Sequence, residues 1–144
     1  MSEADRRQEV VGAAILLRGR VLAARRTTAP GPSRRPGQRW EFPGGKVEPG
    51  ESRAAALVRE IREELDCAVE VTGWLPHHAD VGRNHRLFVA TARLVDGEPV
   101  PLEREHDALR WVGAEELHTL DWLDPDRPFL AGLADRLREH RRAP

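Results

Sequence analysis

The segment 44–66 places the strongest constraint on how this 144-residue chain can fold. It begins with a glycine- and proline-rich loop and continues, over 52–66, with residues that favour helices. At about 100° per residue, three carboxylates fall on one face of that helix: Glu60, Glu63 and Glu64. An apolar stripe lies beside them and can pack against a sheet: Ala54, Leu57, Val58, Ile61 and Leu65. The segment therefore predicts a loop followed by an amphipathic helix with one acidic face.

Three carboxylates on one helix face repel one another unless something neutralises them. Arg59 and Arg62 are close in sequence, but the helical period points both away from the acidic face. A hard divalent cation such as Mg²⁺ or Mn²⁺ is a suitable partner, because these ions prefer carboxylate oxygens. Gly44 and Gly45 have a bare backbone that can approach a phosphate or offer a carbonyl to a metal. For the helix alone, a solvated acidic face is the alternative interpretation.

Outside this segment, short apolar runs alternate with turns and predict an α+β fold. The predicted strands cover 10–17, 21–24, 68–71, 86–95 and 109–112, and the predicted helices cover 52–66, 114–117 and 129–138. The proline-rich stretch 27–39 is expected to form a mobile surface loop, and the tail 139–144 to be frayed. The length and the absence of a linker indicate one domain over 1–144. We expect the sheet to lie between the two longer helices.

Charge and composition exclude several classes of protein. The 23 basic and 24 acidic residues give a net charge of -1, which disfavours binding of duplex nucleic acid through a basic surface. No apolar run approaches the roughly 20 residues that span a bilayer, and no signal-peptide core is present, so we expect a cytoplasmic protein without membrane contact. Cys67 is the only cysteine and has no partner for a disulfide within the chain. Lys46 is the only lysine, and this arginine bias is typical of GC-rich bacterial genomes.

The spacing of residues across the loop and the helix resembles the signature box of the Nudix hydrolases. The residues that match in type and position are Gly45, Glu51, Arg59, Glu60, Ile61, Glu63 and Glu64. Asp66 departs from the box, which usually has a helix-ending glycine there, so we expect Asp66 to adopt a left-handed C-cap at a small cost in stability. The stretches 40–46, 105–111 and 121–128 resemble the MutT-like branch of the family, and the whole resemblance covers about 10–135.

This resemblance implies an α/β/α sandwich in which a mixed β-sheet lies between helices. It also implies a Mg²⁺ site, with Mn²⁺ as a substitute, built from carboxylates and one carbonyl: Gly45, Glu60, Glu63, Glu64 and Glu105. Either Glu60 or Glu105 is then the general base. Arg59 is implied to orient a box glutamate through a charge-assisted hydrogen bond, and Glu51 to support the helix start.

Similarity to the MutT-like branch implies hydrolysis of a nucleoside triphosphate at the β-phosphorus, yielding the monophosphate and pyrophosphate. Matching positions imply substrate contacts by Arg26, Glu41, Phe42, Lys46, Arg83 and Asp126. Asp126 corresponds to the side chain that contacts the base. A carboxylate only accepts hydrogen bonds, so it suits the N1–H and N2–H₂ edge of 8-oxoguanine or the N4–H₂ group of cytosine. The favoured substrate is 8-oxo-dGTP, and CTP or 5-methyl-dCTP is the alternative.

Other interpretations stay open at several of these positions. Asp126 can instead cap the helix that begins near Pro128, and aromatic residues such as Phe42 are often part of a core. Arg26 and Arg83 can be solvated surface arginines. A Nudix fold can also bind a nucleotide without hydrolysing it, although such proteins usually lose box carboxylates that this chain keeps. The sequence does not decide between a monomer and a homodimer.

Overall fold

The computed structural model describes residues 7–26, 39–101 and 106–142, with side chains up to residue 139. Its strands are β1 (Gln8–Leu17), β2 (Arg20–Arg26), β3 (Trp40–Glu41), β4 (Gly44–Lys46), β5 (Ala68–Trp74), β6 (Ala79–Val81), β7 (His85–Asp96) and β8 (His106–Gly113). Its helices are α1 (Arg53–Leu65) and α2 (Leu130–Arg142), and short 3-10 helices cover Leu117–Thr119 and Asp124–Phe129.

Strand β1 is the centre of a mixed sheet. Its residues 8–15 pair in parallel with residues 85–92 of β7. It pairs antiparallel with β4 near its beginning and with β2 at its end. Strand β2 continues the sheet to β3 and β8, and β7 continues it to β5 and β6. The mixed sheet predicted from the sequence is therefore confirmed.

The turn between β1 and β2 shows why these two strands form a hairpin. Arg18 and Gly19 both have positive φ, 52° and 77°, and Leu17 pairs directly with Arg20. Two consecutive residues of positive φ give a turn whose twist matches the twist of the strands on either side. The strands predicted at 10–17 and 21–24 are therefore joined directly as a hairpin.

Helix α1 begins and ends where its sequence predicts. The Ser52 hydroxyl accepts a hydrogen bond from the backbone N–H of Ala55 at 3.0 Å, which caps the first turn. Asp66 adopts the left-handed conformation, with φ 51° and ψ 42°, and its N–H donates to the carbonyl of Arg62. The expected left-handed C-cap at Asp66 is therefore confirmed.

Each face of the sheet packs against one helix. Helix α1 buries Ala56, Leu57, Ile61 and Leu65 on one face, together with Val11. On the other face Leu130, Leu133 and Leu137 of α2 pack with Trp122 and Phe42. This arrangement confirms the predicted layers of helix, sheet and helix.

Several boundaries differ from the prediction. The short strand β6 was not predicted, since three residues give too little alternation to detect. The helical turn lies at Leu117–Thr119 instead of 114–117, and 121–128 contains a 3-10 helix in place of a plain loop. Helix α2 continues to Arg142, so most of the tail predicted to fray is helical. Most of the predicted mobile loop, 27–38, lies outside the described residues. No helix in the described ranges is long and apolar enough to cross a membrane.

Candidate active site

A pocket of about 490 Å³ opens between the middle and last turns of α1, strands β1 and β4, and the 3-10 helix that contains Asp126. A first polar cluster of its lining consists of two box carboxylates, Glu60 and Glu64, beside Gly44 and Gly45. A second polar cluster consists of Arg26, Glu41 and Asp126. Apolar side chains form much of the remaining lining: Val10, Val11, Phe42, Val81, Leu87, Leu123 and Pro125. The pocket therefore combines two polar clusters with a largely apolar lining.

The two glycines of β4 allow α1 to approach the sheet. A Cβ on Gly45 would lie 2.5 and 2.6 Å from the two carboxylate oxygens of Glu60. A Cβ on Gly44 would collide with the backbone carbonyl of Val11. Neither position tolerates a larger residue without a shift of its neighbours. The carboxylate of Glu60 therefore occupies a space that exists because residue 45 has no side chain.

Arg59 is the residue that organises the box. Its guanidinium donates two hydrogen bonds to Glu51, at 2.8 and 3.0 Å, and one to the carbonyl of Lys46 at 3.0 Å. It also donates to Glu60 at 2.9 Å and to Glu63 at 3.4 Å. The expectation that Arg59 points away from the acidic face was therefore wrong. A helical wheel gives only the direction of Cβ, whereas a long side chain can bend back over its own helix.

This network fixes the charge state of Glu51. The hydrogen bonds from Arg59, with one from the backbone N–H of Glu48, lower the pKa of Glu51 to about 2. The same pairing, first with Glu51 and then with Glu60, raises the pKa of Arg59. Glu51 is therefore ionised at physiological pH, and it holds the guanidinium of Arg59, which comes from the middle of α1.

The box carboxylates occupy different environments. Glu64 is only 8% exposed and accepts a hydrogen bond from the N–H of Gly44 at 3.1 Å. Glu63 is 59% exposed at its side chain and lies outside the pocket lining. Glu105 lies outside the described residues, so its predicted role is not tested. No group of three histidine, cysteine, aspartate or glutamate side chains in the described ranges is arranged to hold a metal.

The oxygen ligands in the first cluster nevertheless suit a hard divalent cation. Glu60 and Glu64 supply carboxylate oxygens, and a Cβ on residue 45 would fill the space next to the carboxylate of Glu60. Glu63 is 59% exposed and accepts a hydrogen bond from the same guanidinium, that of Arg59, as Glu60 does. These residues therefore suit the predicted Mg²⁺ or Mn²⁺ site, although the described side chains do not already form a group of three or more metal ligands.

In the second polar cluster, Arg26 and Glu41 form a bidentate pair. The guanidinium of Arg26 donates to both carboxylate oxygens of Glu41, at 2.9 and 3.2 Å, and His106 contacts Glu41 at 2.9 Å. Burial alone would raise the pKa of Glu41, but the hydrogen bond from His106 and the charge of Arg26 lower it. Glu41 is therefore an ionised carboxylate held at a largely buried position.

The surroundings of Asp126 shift its pKa in the opposite direction from that of Glu41. It is 5% exposed, and its carboxyl accepts a hydrogen bond from the backbone of Phe42. Burial, and next the negative charge of Glu41, raise the pKa of Asp126 well above its usual range. The protonated form of a carboxyl donates one hydrogen bond and accepts others, whereas the ionised form only accepts. Burial therefore favours a form of Asp126 that also donates, beyond the acceptor expected from the sequence.

The raised pKa of Asp126 makes stability depend on pH. Because the carboxyl is held neutral in the fold but ionises readily in the unfolded chain, the fold loses stability as pH rises above the unfolded pKa, near 4. Asp126→Asn removes this titration. We expect the melting temperature of the wild type, measured between pH 5 and pH 9, to fall more steeply than that of Asp126→Asn. Parallel curves would show that Asp126 is ionised in the fold.

The three remaining predicted substrate residues lie in different surroundings. Lys46 lies on the pocket edge and is exposed. Phe42 lines the pocket but is 4% exposed, with its ring 4.9 Å from that of Trp122, so it is also a core residue. Arg83 lies in an exposed turn and is absent from the pocket lining, so its predicted substrate contact is not supported.

Two histidines near the pocket are not among the site residues predicted from the sequence. His85 begins β7 and lines the pocket on the same strand face as Leu87, a placement that the alternation along β7 would have revealed. His106 is 1% exposed and contacts Glu41 from behind the pocket wall. No local pattern marks His106, because its partner is 65 residues away.

Comparisons with known proteins agree with this geometry. The profile of the family described as the NUDIX domain matches residues 6–133. A Mycobacterium tuberculosis protein named "Putative 8-oxo-dGTP diphosphatase 2" is 40% identical over 133 residues, covering 90% of each chain. The Escherichia coli CTP pyrophosphohydrolase is 37% identical over 122 residues, covering 85% of this chain and 87% of its own.

The fold also matches solved structures. The crystal structure of a MutT NUDIX hydrolase from Burkholderia pseudomallei superposes with a TM-score of 0.73 and 31% identity, covering 86% of this chain and 95% of that one. The loop, the helix and the arginine-centred carboxylates lie within the region that the family profile matches. The chain therefore belongs to the Nudix family of hydrolases.

Proposed function

We propose that this protein is a MutT-like, Mg²⁺-dependent pyrophosphohydrolase that converts a nucleoside triphosphate to its monophosphate and pyrophosphate. The observation that carries this proposal is the polarity of the pocket. The first cluster offers carboxylates suited to a cation that binds a phosphate chain, and the second offers a buried pair of carboxyl groups suited to a base. In this proposal they form the phosphate end and the base end of the pocket. The apolar part of the lining suits a ribose or the faces of a base.

At the phosphate end, each residue of the chain has a distinct task. Bound Mg²⁺ or Mn²⁺ supplies positive charge that neutralises the phosphate oxygens. In this proposal Glu60, which accepts a hydrogen bond from Arg59 at 2.9 Å, takes the proton of the attacking water, and Glu105 is the alternative base. Lys46, an exposed residue of the pocket lining, contacts the phosphate chain. Arg26 belongs to the other cluster, beside Glu41, and its side chain is 36% exposed, which leaves it accessible to substrate.

At the base end, Glu41 and Asp126 differ in charge and therefore in hydrogen bonding. Ionised Glu41 offers acceptors only, whereas protonated Asp126 offers a donor and an acceptor. This set pairs with guanine through O6, N1–H and N2–H₂, and with cytosine through N3 and N4–H₂. We favour 8-oxo-dGTP, which the name of the mycobacterial relative supports. CTP or 5-methyl-dCTP is the second candidate, which the name of the Escherichia coli relative supports.

The deciding experiment measures kcat/KM with Mg²⁺ on 8-oxo-dGTP, dGTP, CTP, dCTP and 5-methyl-dCTP. Pyrophosphate and orthophosphate are assayed separately, so that attack at the β- and γ-phosphorus is distinguished. A preference for 8-oxo-dGTP over dGTP identifies an enzyme that removes an oxidised nucleotide. A preference for cytosine nucleotides identifies control of the pyrimidine pool. Release of orthophosphate alone, or no hydrolysis, would contradict the proposal.

The base end is tested by two substitutions of similar size. Asp126→Asn keeps a donor and an acceptor, so kcat/KM at neutral pH should stay within a few-fold of the wild type. Asp126→Leu removes both groups and should lower kcat/KM for the preferred nucleotide by about tenfold, since one bidentate pair with a base contributes roughly 1–3 kcal/mol. Steady-state kinetics on the preferred nucleotide check both values. Equal losses in the two variants would show that the hydrogen bonds of Asp126 are not used.

A further inference from the structure

His106 is placed beside Glu41 by an irregularity in the sheet. Strands β2 and β8 pair with a register shift between Arg25 and Arg26, so that Arg25 opposes Ala108 while Arg26 opposes His106. Without the shift, Arg26 would oppose Asp107. Residues opposite each other in an antiparallel pair point to the same side of the sheet, so the bulge brings His106 to the side that carries Arg26. Glu41 lies on this side too, because it pairs with Ala24, two residues before Arg26.

The contact between His106 and Glu41 has a defined direction. The Nε2 atom of His106 lies 2.9 Å from Oε2 of Glu41, which also accepts from Arg26 at 3.2 Å. An ionised carboxylate only accepts hydrogen bonds, so Nε2 carries the hydrogen and donates it. The other ring nitrogen, Nδ1, is buried and has no hydrogen-bond partner in the described part of the chain. Glu41 is therefore the only polar contact of the imidazole ring among the described residues.

This arrangement gives Glu41 a second donor beyond its arginine. The two hydrogen bonds from Arg26 already provide Glu41 with a counter-charge, and Arg26 is more than one-third exposed at its side chain. His106 is 1% exposed and does not line the pocket, so it has no direct access to a substrate. Its ring supports one oxygen of Glu41 from the buried side, whereas Arg26 holds both oxygens from the accessible side. Burying an imidazole whose Nδ1 has no partner among the described residues is costly, so a residue that only fills space would more favourably be apolar.

We propose that His106 is a positioning residue for nucleotide selection, and that its Nε2–H fixes the carboxylate of Glu41 in the orientation that receives the base. This inference rests on the proposed function, because it assigns Glu41 to the base end of the pocket. It predicts that loss of the donor changes which nucleotides are preferred. It also predicts that kcat changes much less than KM, because the α1 carboxylates keep their contacts with Arg59 and Gly44.

The test compares three substitutions of His106 on the nucleotide panel described above. His106→Leu removes the donor. His106→Asn keeps an amide N–H but places it farther from Glu41. His106→Gln can place its amide N–H near the position of Nε2. We expect His106→Leu and His106→Asn to raise KM for the preferred nucleotide by about tenfold, with kcat changed less than about threefold. In both variants the ratio of kcat/KM for the preferred nucleotide to kcat/KM for the poorest nucleotide should fall by a similar factor. His106→Gln should restore both values toward the wild type.

A double-mutant cycle with Glu41→Gln separates positioning from a general loss of packing. If His106 acts through Glu41, His106→Asn should add less than about twofold to the KM effect of Glu41→Gln. Melting curves confirm that the variants are folded, and His106→Asn replaces His106→Leu if the leucine variant does not fold. Additive effects, a uniform fall in kcat on all nucleotides, or no rescue by glutamine would overturn the inference. Absence of hydrolysis by the wild type would instead overturn the proposed function.

Discussion

Glu60→Gln is expected to lower kcat by about 10²–10⁴-fold while the protein stays folded, since this is the usual contribution of a general base. The carboxylate lies in the space beside Gly45 and accepts a hydrogen bond from Arg59 at 2.9 Å. Glutamine has nearly the same shape, so the packing of α1 should persist. It cannot take a proton from water, and it is a weaker ligand for a hard cation. The measurement is kcat on the preferred nucleotide at saturating Mg²⁺, together with the melting temperature.

A matched control uses the same substitution on a surface ion pair. Glu70 contacts Arg93 at 2.8 Å, and both side chains are more than half exposed. Glu70→Gln should therefore leave kcat and the melting temperature close to those of the wild type. If Glu60→Gln hydrolyses substrate at the wild-type rate, Glu60 is not the base and Glu105 becomes the candidate. Binding of nucleotide by the wild type without any hydrolysis would instead indicate a non-catalytic member of the family.

The local part of the site was predictable because its signals lie within one segment of sequence. Ser52 and Asp66 mark the two ends of α1, and the structure places both in cap conformations. Spacing along the helix also predicted a shared environment for Glu60 and Glu64, which both line the pocket. The error at Arg59 shows the limit of this reasoning. Its main partner, Glu51, precedes the helix, and a helical period does not describe contacts beyond the helix itself.

The base end of the pocket was less predictable because three distant segments build it. Glu41 comes from β3, His106 from β8 and Asp126 from a 3-10 helix near the C-terminus. Their meeting depends on the pairing of β2 with both β3 and β8, including the shift beside Arg26. The raised pKa of Asp126 follows in turn from its burial and then from the charge of Glu41. Residue types alone do not encode these effects, so the sequence predicted Asp126 as a residue of the pocket and not the shift of its pKa.

Gly45→Ala is expected to lower kcat/KM by about 10²-fold with little loss of stability. The added Cβ would lie 2.5 and 2.6 Å from the carboxylate oxygens of Glu60, which must move away by about an ångström. Because the obstacle is the end of a flexible side chain, rotation of Glu60 relieves the clash and the fold survives. A misplacement of about 1 Å can nevertheless cost a catalytic group about 10²-fold in rate. Kinetics and melting temperature together distinguish this displacement from unfolding.

Gly132 provides the matched control for the substitution at Gly45. It is exposed on α2, and a Cβ added there meets nothing within 4 Å. Gly132→Ala should raise the free energy of unfolding by roughly 0.5–1 kcal/mol, because alanine loses less backbone entropy in a helix, and should leave kcat/KM unchanged. Wild-type kcat/KM in Gly45→Ala would show that Glu60 acts equally well from a displaced position. The empty space at residue 45 would then serve only the packing of α1 against β4, and the geometric argument for Glu60 as the base would fail.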